Sequence, residues 1–196
     1  IEDLIAAKGA NAVFKETSIE SPLNQSHYWG EPLYGYYRSN SPYVIHRQLE
    51  LFMNIGVDFL ILDVTNAWIF DESTAVLLGQ ICELRKEGWD APQVVFYVHS
   101  RNNQTVREIY SKIYTAMPQY SPAWYRKNGK PVIIAYDDNE KNIADALGSG
   151  YAADRNDPIC QPLEQEIMNF FCFVEPRWPN DFMLDPTNPM YDAKNE

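Results

Sequence analysis

The feature that most limits what this chain can fold into is a repeated order of helix, stop and strand. SPYVIHRQLELFMNIG, residues 41–56, offers Ser41 as an N-cap, Pro42 at the first helical position and Gly56 as the stop. Ile45, Leu49, Phe52 and Met53 give it one apolar face, and the apolar run VDFLILDV follows at once. FDESTAVLLGQICELRKEG repeats the pattern with Leu78, Ile81 and Cys82 inward and Gly88 as stop, before the strand QVVFYV. NNQTVREIYSKIYTAM sets Val106, Ile109, Tyr110, Ile113 and Met117 on one side of a third helix. SPAWYRKNGKPVIIAYDD then holds a short aromatic piece, the turn signal Asn128-Gly129 and a strand over 131–136. A helix near 143–147, a Gly- and Asp-rich loop and a helix near 162–168 lead to NFFCFVE.

Strand starts near 57, 93, 131 and 169 stand roughly 35 to 40 residues apart, room for a helix and an elaborated loop in each crossover. Alternating strand and helix predicts a parallel sheet, and strands apolar on both faces suit one that is covered on both sides. Two architectures fit, an open doubly wound sheet and a (β/α)8 barrel. The dinucleotide-binding version of the first calls for G-x-G-x-x-G after an early strand, which does not occur; the strand exits are acidic, aromatic and amide-bearing, as a barrel rim is. A complete barrel takes about 250 residues, and four strands are legible, with a fifth near 11–14. The expected fold class is therefore α/β, a (β/α)8 TIM-type barrel, incomplete in this chain at roughly four to five βα units. Residues 1–196 are expected to form one barrel domain or barrel fragment, and the ending DPTNPMYDAKNE, with no closing helix or strand, leads us to expect further protein beyond it.

Charge narrows the partners. With 16 Lys and Arg against 27 Asp and Glu, the net charge is -11, so nucleic acid and anionic membrane surfaces, which need a basic face, are not expected partners. No apolar run is long enough to insert in a membrane, and IEDLIAAKGA has no signal-peptide pattern. Cys82, Cys160 and Cys172 have no C-x-x-C spacing, which argues against both a zinc site and a disulfide framework; Cys82 and Cys172 read as core thiols. His27, His46 and His99 lie far apart and form no H-E-x-x-H pattern, so neither a metal nor another cofactor is implied, and the acidic loops AADRND and DPTNP read as turns before they read as calcium loops.

Parallel α/β folds put their chemistry at the carboxyl ends of the strands. The first strand exits through Asp63, Thr65, Asn66 and Trp68; the second through His99, Ser100, Arg101 and Asn102; the third through Tyr136, Asp137 and Asp138; the fourth through Glu175, Arg177 and Trp178. Carboxylates serve as acid and base, amides and Arg bind hydroxyls, and aromatic rings stack on a pyranose face, so the mixture fits a sugar site. Asp63 and Glu175 are the candidate catalytic acids. Asn66, Trp68, His99, Asp137, Arg177, Trp178 and Trp29, the last in an aromatic-rich loop over 27–37, are the candidate substrate-binding residues. Each has a plainer role open to it: Asp63 as a loop cap, Asp137 and Asp138 as a helix N-cap, the tryptophans as packing between loops.

The runs YWGEPLYGYYRSNSPYVIHRQLELFMNIGVDFLILDVTNAW and YSPAWYRKNGKPVIIAYDD resemble the (β/α)8 barrels of bacterial carbohydrate-active enzymes related to glycoside hydrolase families 71 and 99, over residues 28–136. The likeness lies in a helix beginning near a Pro, a G-V-D-F strand ending in Asp before a Trp- or Asn-bearing loop, and a later K-x-G-K-P-V strand. It implies a glycosidase, a hydrolase of O-glycosyl bonds in a polysaccharide or glycan, working outside the cytoplasm, in an extracellular or periplasmic setting. In the endo-mannosidase-like members the paired glutamates lie on late strands in a W-N-E-W type of segment, which this chain does not contain; by position the resemblance places Asp63, His99 and Glu175 among rim groups that bind or support substrate. Two other readings stay open at this point: a non-catalytic carbohydrate-binding barrel, and a metal-dependent hydrolase on the same fold.

Overall fold

A computed structural model describes residues 6–7, 32–35 and 37–176. Helix α1, Pro42–Asn54, carries Pro42 in its first turn and buries Val44, Ile45 and Leu49. It closes with Gly56 at φ +74, whose N–H donates to Met53 O while Val57 N–H reaches back to Phe52 O. This pair of bonds satisfies the last carbonyls and needs a left-handed residue, which glycine supplies without a Cβ clash. Helix α2, Asp71–Lys86, ends the same way, with Gly88 at φ +93 and bonds Gly88 N to Arg85 O and Trp89 N to Leu84 O. The two glycine stops turn the chain directly into strands β1, Phe59–Val64, and β2, Gln93–Val98.

Helix α3, Asn102–Ile109, runs into a π-helical stretch, Tyr110–Thr115, and then a 3-10 segment, Pro118–Ala123. The sequence period predicts one helix over 102–117; the structure widens its second half instead, and the fully buried Tyr114 ring lies there. The two-residue strand β3, Arg126–Lys127, folds back antiparallel on β4, Lys130–Ile134. Between them Asn128 and Gly129 both have positive φ, as a tight type I′ hairpin turn requires. Helix α4, Asn139–Gly148, is capped by Asp138, whose Oδ1 accepts from Lys141 N at 3.1 Å. Helix α5, Gln165–Phe170, precedes β5, Cys172–Val174; the last strand is shorter than its apolar sequence predicts because Asn169 and Phe170 finish the helix.

The parallel strands lie in the order β1, β2, β4, β5. Strand order in space equals order in sequence, so every crossover steps the same way. A doubly wound sheet would reverse direction part-way. The described residues therefore build an α/β arc of βα units in barrel order, open rather than closed.

One face of the sheet holds the main core. Leu60, Leu62, Val94, Phe96, Val98, Ile133, Ala135 and Phe173 meet Leu49, Leu78, Ile81, Ile109 and Ile113 from the helices. Full burial of one such aliphatic side chain contributes about 1.5–3 kcal/mol. The alternating residues on the opposite, inner face divide by position: Val95 and Val132 in the central strands are buried, whereas Phe59, Ile61 and Val174 on the flanking strands are exposed. β1 thus has one open face, unlike the doubly covered strand its sequence predicts. Cys160 is buried, whereas Cys82 and Cys172 are only half-buried, and all three are free thiols.

Candidate functional site

All parallel strands deliver their carboxyl ends to one rim. At the β1 exit the chain is built from two short side-chain caps. Asp63 Oδ1 accepts from Thr65 N–H at 2.9 Å, and Asn66 Oδ1 accepts from Trp68 N–H at 3.1 Å. The Thr65 N–H, followed by the Thr65 hydroxyl, holds the Asp63 carboxyl below its ordinary value of 3.8. Ala67 and Phe70 both take positive φ, at 63 and 54, a conformation that is uncommon for alanine and an outlier for a bulky side chain. The loop is held by burial of Ile69 and by Thr74 Oγ1 donating to Ile69 O at 3.0 Å. Its consequence is a displayed pair of rings: Trp68 is 65% and Phe70 56% exposed, 5.8 Å apart and tilted by 30°. Beside them lies a cavity of about 450 Å³ lined in part by Asp71, Glu72, Glu108 and Lys112. Asp63 itself lines a neighbouring apolar groove of about 470 Å³ between α1, β1 and α2.

Ser100 N–H donates to Thr65 O at 2.9 Å and ties the β2 exit to this loop. His99 is exposed, with its ring 6.4 Å from that of Tyr136. Asn102 acts as a latch: its Nδ2 donates to Tyr136 O at 2.9 Å and its Oδ1 accepts from Tyr136 N–H at 3.0 Å. Asn142 Nδ2 donates to Asn103 Oδ1 at 2.7 Å and to Tyr136 O at 3.1 Å, and Asn103 Nδ2 reaches Asn139 Oδ1 at 3.2 Å. These amides fix the β4 exit where no strand pairs with it. Lys141 Nζ lies 3.8 Å from the centre of the Tyr136 ring and 2.7 Å from Asp145 Oδ2.

A second cavity, about 250 Å³, opens here between His99, Ser100, Arg101, Tyr136, Asn142 and Tyr151. Asp137 is exposed beside Asp138, the helix cap. Glu175 follows β5 immediately and acts on Lys141 through its charge, so it belongs to the Tyr136 end of the rim. Asp63 and Glu175 leave opposite flanking strands of the parallel arc. Trp29, Arg177, Trp178 and the strand expected near 11–14 lie outside the described residues.

Among the described residues no group of three or more His, Cys, Asp or Glu side chains is placed to hold a metal ion, and no helix is long and apolar enough to cross a membrane. Sequence reasoning places Asp63, Asn66, Trp68, His99, Asp137 and Glu175 at strand ends, and there the structure has them. It does not single out Phe70, whose exposure depends on a backbone angle, or Tyr151, which reaches the β2 exit from beyond α4. The Asn102-Asn103 pair after a strand and Asn139 and Asn142 in the first turns of a helix are the signal that would have found the amide network.

No family model matches the chain, and no curated protein matches it. Among solved structures it is similar to the GH99 endo-alpha-mannosidase from Bacteroides thetaiotaomicron, at 22% identity and a TM-score of 0.46, over 79% of this chain and 42% of that one. The complex of that mannosidase with bis-tris propane gives 23% identity and a TM-score of 0.44, over 74% of this chain and 42% of that one. The chain spans less than half the length of either. The assignment to barrel order rests on the strand sequence of the sheet itself.

Proposed function

We propose that the protein is a glycoside hydrolase acting on a polysaccharide or glycan by carboxylate chemistry at the rim of its barrel arc. The observation that carries this reading is the β1 exit, where one strained loop presents the ionised Asp63 carboxylate and the exposed Trp68–Phe70 pair. A flat aromatic surface takes the C–H face of a pyranose and a carboxylate takes its reacting side. A depressed carboxyl suits the base or nucleophile half of a glycosidase, so Asp63 has that role and Glu175 the acid half. Their strands are three steps apart, about 14 Å along the sheet, so this pairing requires the arc to curl until the two carboxyls stand at the roughly 5 to 9.5 Å that a carboxylate pair needs. Asn66, His99 and Asp137 contribute hydrogen bonds to sugar hydroxyls, and Trp29, Arg177 and Trp178 are proposed as further substrate contacts. We place the activity outside the cytoplasm, where cell fractionation would locate it.

The test is release of reducing ends by the full chain across a panel of α- and β-linked polysaccharides. Asp63→Asn and Glu175→Gln should each reduce hydrolysis by about 10²- to 10⁴-fold while binding persists. Failure of the unsubstituted protein to cleave any of them, with binding intact, selects the second reading, a non-catalytic carbohydrate-binding barrel. That reading is favoured by the Asp63 carboxylate being already committed to Thr65.

A further inference from the structure

The register of the parallel strands brings one more residue to the side of Asp63. Asp63 of β1 and Tyr97 of β2 are register partners, and neighbouring strands stand about 4.8 Å apart. Their side chains share a face. Leu62 and Val64 on β1, and Phe96 and Val98 on β2, belong to the helix-covered core, so strand alternation turns Asp63 and Tyr97 to the inner face of the arc. The register runs on from Tyr97 to Ile134 and from Ile134 to Val174. These four residues form one inner layer, polar on β1 and β2 and apolar on β4 and β5.

The layers on either side decide what this one can do. Two residues earlier on the same strands come Ile61, Val95, Val132 and Cys172, which offer a sugar no hydroxyl, amide or charge. Val95 and Val132 are buried, so the middle of the sheet is filled at that level and a ligand goes no deeper. Two residues later, the His99 and Tyr136 rings stand 6.4 Å apart, edge to face. The Asp63–Tyr97 layer is therefore the deepest polar one within reach from the rim. Barrel interiors are normally packed with branched aliphatic side chains, and an acid beside a phenol departs from that filling. Tyrosine suits such a boundary, because its ring packs on apolar neighbours while its hydroxyl serves the polar side. Tyr97 is half-buried and Asp63 is exposed, as that arrangement requires.

We propose that Tyr97 is a substrate-binding residue of the β1 site, its hydroxyl hydrogen-bonding a hydroxyl of the sugar unit held against Asp63. The proposal rests on the carbohydrate reading above and adds the residue that fixes how deep the sugar ring sits. Tyr97 touches the sugar away from the breaking bond, so it holds ground state and transition state alike.

The experiment compares the full chain with Tyr97→Phe and Asp63→Asn on starch, mannan, hydroxyethyl cellulose and xylan, reading kcat and KM separately beside the thermal melt. Phenylalanine keeps the ring and its packing and removes only the hydroxyl. On the polymer that the parent cleaves fastest, Tyr97→Phe should raise KM about tenfold or more with kcat and melting temperature little changed, whereas Asp63→Asn should lower kcat. An unchanged KM in Tyr97→Phe overturns the proposal and leaves the hydrolase reading standing. A fall in kcat with KM unchanged also overturns it, because the hydroxyl would then act on the reaction and not on the hold of the sugar. Where the parent cleaves none of the four polymers, affinity electrophoresis in the same polymers takes over. Retardation weakened about tenfold in Tyr97→Phe supports the sugar contact while the hydrolase reading falls, and equal retardation of parent and variant overturns the contact. Retardation by none of the polymers overturns both.

Discussion

Asp63 closes an apolar strand and opens a polar loop, and the two roles available to it there make different demands on its side chain. As a cap it needs one acceptor oxygen for Thr65 N–H, which an asparagine also offers; as a catalytic group it needs a charge. Asp63→Asn therefore separates them: the fold should remain within about 0.5 kcal/mol at neutral pH while hydrolysis falls. The pH dependence follows from the sign of the shift. Because the folded carboxyl lies below its ordinary value of 3.8, its contribution to stability is complete above that value and is lost as pH falls through and below it. Urea midpoints measured from pH 5 downward should fall less steeply in the asparagine variant than in the parent. Trp68 presents the complementary case, since its exposure shows it contributes little to the core. Trp68→Ala should weaken glycan binding about tenfold or more with an unchanged melting temperature, read by affinity electrophoresis against thermal melts. The strand-end position of both residues is legible in sequence. The strain at Ala67 and Phe70 that displays the rings is not, because a positive φ leaves no mark in residues that usually avoid it.

The third helical segment shows most clearly where periodicity reaches its limit. Its apolar spacing over 102–117 is correct about Val106, Ile109 and Ile113, which are buried, sets Tyr110 and Met117, which are only partly buried, on the same side, and passes over Tyr114, which is buried. It is silent about the change to π geometry at Tyr110, which accompanies packing of Tyr114 against Trp124, Phe170 and Phe171. Burial pushes the Tyr114 hydroxyl far above its ordinary titration range, and that hydroxyl has no hydrogen-bond partner. Tyr114→Phe should stabilise the protein by about 1 kcal/mol, since it removes an unsatisfied polar atom and keeps the ring; urea denaturation checks it. The Asn102 latch predicts the opposite sign. Asn102→Ala leaves the Tyr136 N–H without its amide acceptor, while Tyr136 O keeps Asn142 Nδ2, and should cost about 1–3 kcal/mol. The same side chain is a plain polar residue in the sequence, because its partner lies 34 positions away.

Across the whole molecule, one core on the helix-covered face joins all four parallel strands, so the arc should unfold as a unit rather than strand by strand. Ile133, fully buried in that core, gives the measurement: Ile133→Ala should cost about 2–5 kcal/mol, with Trp fluorescence and far-ultraviolet circular dichroism shifting to the same new midpoint. Separate midpoints would show that the β1–β2 and β4–β5 halves melt independently. By itself the sequence determined the alternation of helix and strand, the glycine stops, the Asn128-Gly129 turn and the residues that leave each strand, because these depend on neighbours within a turn or two of the chain. Only the tertiary structure decided that the strands lie side by side in chain order, that the inner face of β1 is open, and that Tyr151 meets Arg101 while the amides of Asn102, Asn103 and Asn142 converge on or beside Tyr136. Those contacts join residues far apart in the chain, and their geometry is fixed by how the sheet packs against its helices, which no local pattern encodes.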